Sequence, residues 1–566
     1  MSDASLPPTV NRIDAEMLLQ QGVQAAMQGQ PGQAAQCWQR TLALCGDADL
    51  QTQAYFNLGV LCRKCGEPES AVACLHQALL ADEANHEARE QLATLLADRG
   101  EVLESIAQFE KLVETQPEAR HYFNLGILYS TLGEGVQAET HYRSALTLMP
   151  AHAESLSNLG LLLAERGLTG EALSCLKRAV AIAEQSPQAH ANLAQLLEAD
   201  DQLDVAAHCL ERAVALKPED AGLHCDLAVL RTEQRRLDEA ESGFRRALQL
   251  DPAHRSAKTF LGQFLLAQGR FAEGWPLHEA RFGRNATAGR PLLPTLATPA
   301  WQGDALHGKT LLLRQEQGFG DEIQFIRYLP RLLAFAPAKI RMQCWSALHP
   351  LFSGLPGIEL HAETDAVPSH DVWISTMSLP LYCGSSDIPD ELPYLQAPAE
   401  RVDAWRKRLG SASAKLRVGL LWQGHRLHGN DAHRSLPSVE VLAPLWQVDG
   451  IEFYSLQRET VETGLSLRQF GAEIADFGDA AALIMQLDLV ISVDSAYAHL
   501  AGALGKPVWV LLPACRTDWR WGYEGTTSPW YPNVMRLFRQ PHRGGWSELV
   551  PDVLDALSDL RTGRVA

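Results

Sequence analysis

The sequence lacks a basic balance, a long apolar run and a paired cysteine pattern, and each absence removes a class of function. Lys and Arg number 49 against 68 Asp and Glu, a formal net charge of −19. Such a surface repels phosphate backbones and anionic lipid, so neither nucleic acid nor an anionic membrane is an expected partner. No uninterrupted apolar stretch reaches the roughly 18 residues of a membrane span. The opening MSDASLPPTVNRIDAEMLL has no basic segment leading into an apolar core and a cleavage site, so it does not read as a secretory signal. Eleven cysteines are odd in number and scattered, the pattern of reduced thiols, and a cytoplasmic location is expected. Cys62-Arg63-Lys64-Cys65 is a lone CxxC with no second pair at zinc spacing, so no metal site is expected there. No other cluster of ligating residues stands out, and neither a metal nor a cofactor is expected.

At 566 residues the chain exceeds one ordinary core, and three or more units are expected. The acidity is uneven. Residues 1–285 hold 24 Lys and Arg against 38 Asp and Glu, a net of −14, leaving 25 against 30, or −5, for the remainder.

The first half restarts every 33 to 37 residues, at Ala15, Thr52, His86, Ala119, Ala153, Pro187, Ala221 and Arg255. The eighth position of each copy is small, as at Gly22, Gly59, Gly126 and Gly160, and so is the twentieth, as at Ala34, Ala71, Ala138 and Ala172. Small residues at two fixed points let antiparallel helices approach closely. Trp38, Phe109, Tyr142 and Phe244 recur at the twenty-fourth position as packing knobs, and Pro117, Pro150, Pro218 and Pro252 stand where a second helix must stop. The CxxC falls inside one of these helices. The sixth position is rich in amides: Gln20, Asn57, Gln91, Asn124, Asn158, Asn192. An amide both donates and accepts, so it can bind a peptide backbone without reading side chains; the competing reading is that these amides satisfy neighbouring turns.

This pattern resembles the tetratricopeptide repeat, eight units over residues 15–282 after an N-terminal tail of 1–14. The resemblance implies an all-α superhelix with a concave binding surface. The amide column is similar to the asparagine ladder of the nucleocytoplasmic O-GlcNAc transferase, which implies a polypeptide-binding groove at Asn57, Asn124, Asn158 and Asn192. The last copy departs from the pattern: Gly269 to Phe282, GRFAEGWPLHEARF, replaces the usual second helix and is expected to dock the array on the second half of the chain. The stretch from Gly283 to Ala300 carries Pro291, Pro294 and Pro299 and reads as a linker, extending to 308.

The second half alternates strands and helices, which implies parallel sheets. Lys309 to Arg314 reads as a strand, QEQGFGD as a turn, Glu322 to Phe335 as a helix, and Lys339 to Cys344 and Val372 to Ser375 as further strands. After a helical connector, Pro398 to Leu409, a second series runs through Arg417 to Trp422, a helix from Pro437 and a strand at Glu452 to Leu456. It ends in a βαβ unit, Leu487 to Leu512, whose turn at Asp494-Ser495 sits where ligands of open parallel sheets bind and where a helix N-terminus favours an anion. Ser495 as a plain helix cap is the competing reading. Gly303 to Thr310 matches GxxxxGK[ST], but a proline-rich stretch precedes it and a strand succeeds it, so the phosphate-binding mechanism has no helix to use.

Gly318-Phe319-Gly320-Asp321 after the first strand, with Val493-Asp494-Ser495 and His499-Leu500 late in the second series, resembles the heptosyltransferase family of GT-B glycosyltransferases over about 311–557. The resemblance implies an α/β GT-B fold of two Rossmann-like lobes, an acceptor-side lobe at 309–397 and a nucleotide-sugar lobe at 398–566. It implies Asp321 as catalytic base beside the glycine turn Gly318 and Gly320, although an aspartate there also caps the helix after it. It further implies that Asp494, Ser495, Ala496 and His499 contact the donor and its diphosphate, with Arg434 near the phosphates; Ala496 replaces the family's glycine. Gln423, Arg426, His425 and His428 in the same polar loop are weaker candidates. Aromatics in Thr517 to Trp521 and Ser528 to Pro532 suit either stacking on a ligand or a core.

These readings converge on an inverting, metal-independent protein glycosyltransferase acting on Ser or Thr of a polypeptide held by the array, with flagellin as one acceptor the architecture suggests. Its partners are the acceptor polypeptide and a nucleotide sugar; a homo-oligomer stays open. The competing classes are a non-catalytic scaffold with a degenerate α/β domain, and heptose transfer to lipopolysaccharide.

Overall fold

The structure, a computed structural model, describes residues 8–44, 46–282, 296–384, 386–410 and 415–563. Most of the expected linker, including Pro291 and Pro294, lies outside them. The chain divides into two compact units between Pro218 and Glu219.

Among the described residues, the first unit holds six helical hairpins: α1 (Pro8–Met27) with α2 (Pro31–Leu44), α3 (Ala48–Lys64) with α4 (Pro68–Ala81), α5 (His86–Asp98) with α6 (Val102–Thr115), α7 (Ala119–Thr131) with α8 (Gly135–Leu148), α9 (Ala153–Glu165) with α10 (Thr169–Ile182), and α11 (Pro187–Ala199) with α12 (Leu203–Leu216). The small-residue columns are what brings each pair together. A Cβ on Gly59 would lie 2.8 Å from Leu75, and one on Gly160 2.7 Å from Leu176, while Gly22 and Gly126 lie against the rings of Trp38 and Tyr142. Ala34, Ala71, Ser105, Ala138, Ala172 and Ala206 are wholly buried. The helices before Pro117, Pro150 and Pro218 end two residues ahead of them, because the residue before a proline disfavours helical backbone.

The second unit opens with two more hairpins, α13 (Ala221–Glu233) with α14 (Leu237–Leu250) and α15 (Arg255–Ala267) with α16 (Phe271–His278). The last copy therefore keeps a second helix, shortened around Pro276. Its Trp275 is buried and packs edge-on against Phe325, Trp519 and Trp530 of the α/β region, so this hairpin docks as expected.

The rest of the unit is built on two parallel sheets. The first has the order β3-β2-β1-β4, from β1 (Thr310–Arg314), β2 (Lys339–Cys344), β3 (Ile358–Ala362) and β4 (Val372–Ser375), with Arg314 in register with Gln343 and Ser375. The second has the order β10-β9-β8-β5-β6-β7, from β5 (Leu416–Leu421), β6 (Ile451–Ser455), β7 (Leu467–Gln469), β8 (Leu489–Val493), β9 (Val508–Leu512) and β10 (Met535–Arg539). Short helices connect them, α17 (Phe319–Phe325), α18 (Leu329–Leu333), α19 (His349–Phe352), α20 (Leu379–Tyr382), α21 (Ala399–Leu409), α22 (Asp431–Arg434), α23 (Phe477–Ile484) and α24 (Ala496–Ala503), and a longer one, α25 (Trp546–Thr562), comes after the last strand. The fold is an all-α repeat array followed by a two-lobed α/β region.

Two further expectations are corrected. The helix expected over Glu322 to Phe335 starts earlier, at Phe319, and is broken by a 3₁₀ turn at Ile326–Tyr328 before Pro330. The helix expected from Pro437 is a 3₁₀ stretch, Val439–Gln447, containing Pro444. The strands β3, β7 and β10 were not expected, being short or polar at one end.

Candidate active site

The βαβ turn and the glycine turn meet. β8 runs fully buried to Val493, Ser495 caps α24 by accepting from the Ala498 N–H at 3.3 Å, and its hydroxyl lies 2.8 Å from that of Ser492. On the other lobe, Gly318 precedes α17 and Asp321 sits in its first turn. A Cβ on Gly320 would lie 3.0 Å from the His499 ring and 3.4 Å from Ala496 Cα, so a residue without a side chain at 320 lets the two helix starts touch. Ala496 is accommodated because the opposing residue is glycine.

Asp321 caps the start of α17 and is also bound from the other lobe. Its Oδ2 accepts from the Gly318 N–H at 2.7 Å, half of a capping box, since glycine has no side chain to return the bond. Its Oδ1 accepts from Arg520 Nη2 at 2.5 Å. Arg520 is 94% buried and is the hub of the site: Nε donates to Gln324 at 2.6 Å and Nη1 to both oxygens of Asp518 at 3.0 Å. Burial pushes the Asp321 carboxyl up, with Arg520 opposing and Asp518 adding. The Asp518 and Asp321 carboxylates hold the Arg520 guanidinium charged against the cost of burial.

Asp494 joins this cluster from β8. Burial first, then Asp518, pushes its carboxyl up to about 6, while Arg434 and Arg520 pull the other way. Trp521 Nε1 lies against Asp494 without the geometry of a full hydrogen bond. Arg434 ends α22 and is largely buried; its nearest carboxylate, Asp431, is 3.5 Å away, and its Nε has no hydrogen-bond partner. Gly424 makes room for it, since a Cβ there would fall 2.8 Å from Arg434 Nη2. With Asp431, four carboxylates (Asp321, Asp431, Asp494, Asp518) thus face two guanidinium groups (Arg434, Arg520), and protonation of Asp494 removes one of the surplus negative charges.

Other candidates fall elsewhere. His499 is buried, its Nδ1 2.9 Å from the Tyr531 hydroxyl and its ring stacked on Trp521; burial, Arg520 and Arg327 hold its pKa far down, so it is neutral. Gln423 spends its amide on the Leu436 and Pro437 carbonyls at 3.4 and 3.3 Å, and Arg426 is exposed beside Glu459. Trp519, Trp521, Trp530 and Tyr531 are all buried, so for these aromatics the core reading holds. In the array, Asn192 bonds Ser157 at 3.0 Å and Gln188 at 2.7 Å, and Asn158 bears on the Tyr142 hydroxyl. Asn57 and Asn124 are half-buried.

Sequence reasoning missed Arg520, Asp518 and Gln324. A signal existed: Arg520 lies between two tryptophans eight residues beyond the end of a core strand, where a buried charge has to be matched by carboxylates.

The glycosyltransferase family 9 (heptosyltransferase) profile matches residues 473–519, which span β8, α24 and β9 and end beside Arg520. Tetratricopeptide repeat profiles match 117–185 and, separately, 66–120, 191–253 and 225–274. Protein FlbA of Caulobacter vibrioides is 31% identical over 329 residues, 52% of this chain and 54% of that protein; the match thus spans about half of that relative's length. Among solved structures, a tetratricopeptide repeat protein from Parabacteroides merdae is 19% identical over 42% of this chain and 94% of its own, with a TM-score of 0.37. A thermophilic TPR protein of Thermus thermophilus is 25% identical over 32% of this chain and 99% of its own, with a TM-score of 0.28. One chain therefore joins a tetratricopeptide repeat array to a two-lobed α/β region that carries a glycosyltransferase family 9 (heptosyltransferase) segment.

Proposed function

We propose that the protein is an inverting, metal-independent glycosyltransferase that moves a sugar from a nucleotide-sugar donor to Ser or Thr of a polypeptide recruited by the repeat array, with flagellin as one acceptor. The observation that carries this is the meeting of Asp321 from one lobe with Asp494 and the start of α24 from the other in a single charge cluster.

Inversion needs one carboxylate to take the acceptor hydroxyl's proton as the sugar carbon is attacked from the opposite side of the leaving group. Asp321 fits that role: each of its oxygens accepts one bond and keeps a second lone pair. The departing diphosphate needs positive charge, which the free N–H groups at the start of α24 and the Arg434 guanidinium supply. Asn57 and Asn124 are the groove amides best suited to an extended chain, because Asn158 and Asn192 are engaged within the array.

One observation favours a non-catalytic scaffold: both Asp321 oxygens are held, one by an arginine that lowers its basicity. The test is nucleoside diphosphate release from a panel of UDP-, GDP-, ADP-linked and CMP-linked sugars, with release of CMP scored for the last. Turnover that Asp321→Asn abolishes supports transfer. Nucleotide binding without turnover, indifferent to that substitution, supports the scaffold.

A further inference from the structure

Glu322 comes after Asp321 in α17 and has no part in the transfer chemistry proposed for its neighbour. It is wholly buried, and so is Thr376, the residue after β4. Thr376 Oγ1 lies 2.9 Å from the Arg314 carbonyl oxygen and 2.6 Å from Glu322 Oε1. A threonine hydroxyl has one hydrogen, and a carbonyl oxygen can only accept. One hydrogen cannot serve both contacts in full, and both are made when Thr376 donates to the Arg314 carbonyl and Glu322 supplies the second hydrogen.

The surrounding charges agree. The titratable groups facing Glu322 are Asp321 on its own helix, Glu316 in the loop after β1 and Cys344 at the end of β2, none of them a cation. The Arg314 guanidinium, at the end of β1, is perturbed by burial alone. Among the described residues Glu322 Oε2 has no partner at full hydrogen-bond geometry, although the Glu316 backbone bears on the carboxyl and opposes the rise. An ionised carboxylate here would be buried without a counter-ion, which a side chain avoids by keeping its proton. Burial accordingly pushes this carboxyl up to about 8.

We infer that Glu322 is held as a neutral carboxylic acid whose proton bonds Thr376, and that it is the positioning residue fixing the first turn of α17, with Asp321, to the carboxyl ends of β1 and β4. The catalytic consequence rests on Asp321 being the base; the protonation state does not. Loss of the proton would turn the Thr376 hydroxyl from the Arg314 carbonyl to the Glu322 carboxylate, releasing the tie to β1, and set a second anion beside Asp321.

Infrared difference spectra between wild type and Glu322→Gln test the first part. One protonated-carboxyl C=O band should be present in wild type at neutral pH, absent in the variant, and bleached in wild type as the pH passes about 8. No such band would overturn the inference. Turnover of the same panel of nucleotide sugars tests the second. Wild type should lose rate about tenfold per pH unit on the alkaline side, as one ionisation dictates. Glu322→Gln, whose Nε2 can donate to Thr376, should keep the neutral rate without that fall. A folded Glu322→Gln that retains the alkaline fall would refute the positioning role. If the band is present while no donor is turned over, the neutral acid stands and the glycosyltransferase reading fails.

Discussion

Replacing Arg520 by methionine keeps the aliphatic stem between Trp519 and Phe325 and removes the charge. Four bonds disappear, to Gln324, to both oxygens of Asp518 and to Asp321. The Arg520 side chain is 6% exposed and that of Asp321 15%, whereas Asp518 is 34% exposed and water screens its share. Breaking a buried pair from one side costs about 3–5 kcal/mol, because the other charge is left uncompensated. The assay is urea unfolding followed by tryptophan fluorescence, since Trp275, Trp519, Trp521 and Trp530 all lie in the affected core. The loss must depend on pH in one direction. Without Arg520 the folded pKa of Asp321, already raised by burial, rises further, so the folded variant binds more protons than the unfolded chain between the unfolded value, near 4, and its own. Stability of the variant relative to wild type therefore falls as pH rises, and the penalty is greater at pH 8 than at pH 5. Adding Asp321→Asn to Arg520→Met should restore part of the loss. A penalty under about 1 kcal/mol, the scale of an exposed pair, or one equal at both pH values, would refute the buried-hub argument.

Asp494, with its carboxyl near 6, gives the proposed donor site a pH dependence: nucleoside diphosphate affinity should rise as pH falls from 8 to 5 and one negative charge is lost, and calorimetry on Asp494→Asn should show that dependence flattened. Gly320→Ala puts a methyl 3.0 Å from the His499 ring and should cost about 1–3 kcal/mol by overpacking, read as a lowered thermal midpoint. Asn57→Ala and Asn124→Ala should leave stability within about 0.5 kcal/mol and reduce acceptor capture, whereas Asn192→Ala, which strands Ser157 and Gln188, should lower the melting temperature of the array.

The repeat array was legible because its signal is steric and recurrent: the same glycine meets the same knob in copy after copy, as Gly59 meets Leu75 and Gly160 meets Leu176. The βαβ unit was legible for a similar reason, since Leu489–Val493 and Val508–Leu512 are continuous apolar runs with a capped helix between. Strand β7, with the burial of an edge, has no such run. The site was half legible. Asp321, Asp494 and Ser495 stand at turns that the strand pattern locates, but whether a side chain there is free or matched depends on partners far along the chain. Arg520 reaches Asp321 across 199 residues and Tyr531 reaches His499 across 32. Spacing along one chain cannot report such pairings, and that is why His499 reads as a donor contact in the sequence and as a packed, neutral ring in the fold.

The proposed role of the cluster of Asp321, Arg434, Asp494 and Arg520 is sugar transfer. It is tested most directly by measuring nucleoside diphosphate release from the donor panel with wild type and Asp321→Asn side by side, after circular dichroism shows both folded alike. Transfer chemistry predicts release by wild type and a loss of roughly 10²–10⁴-fold in the variant, the usual contribution of a general base. Equal release from both proteins, or none from wild type with any donor, would contradict it.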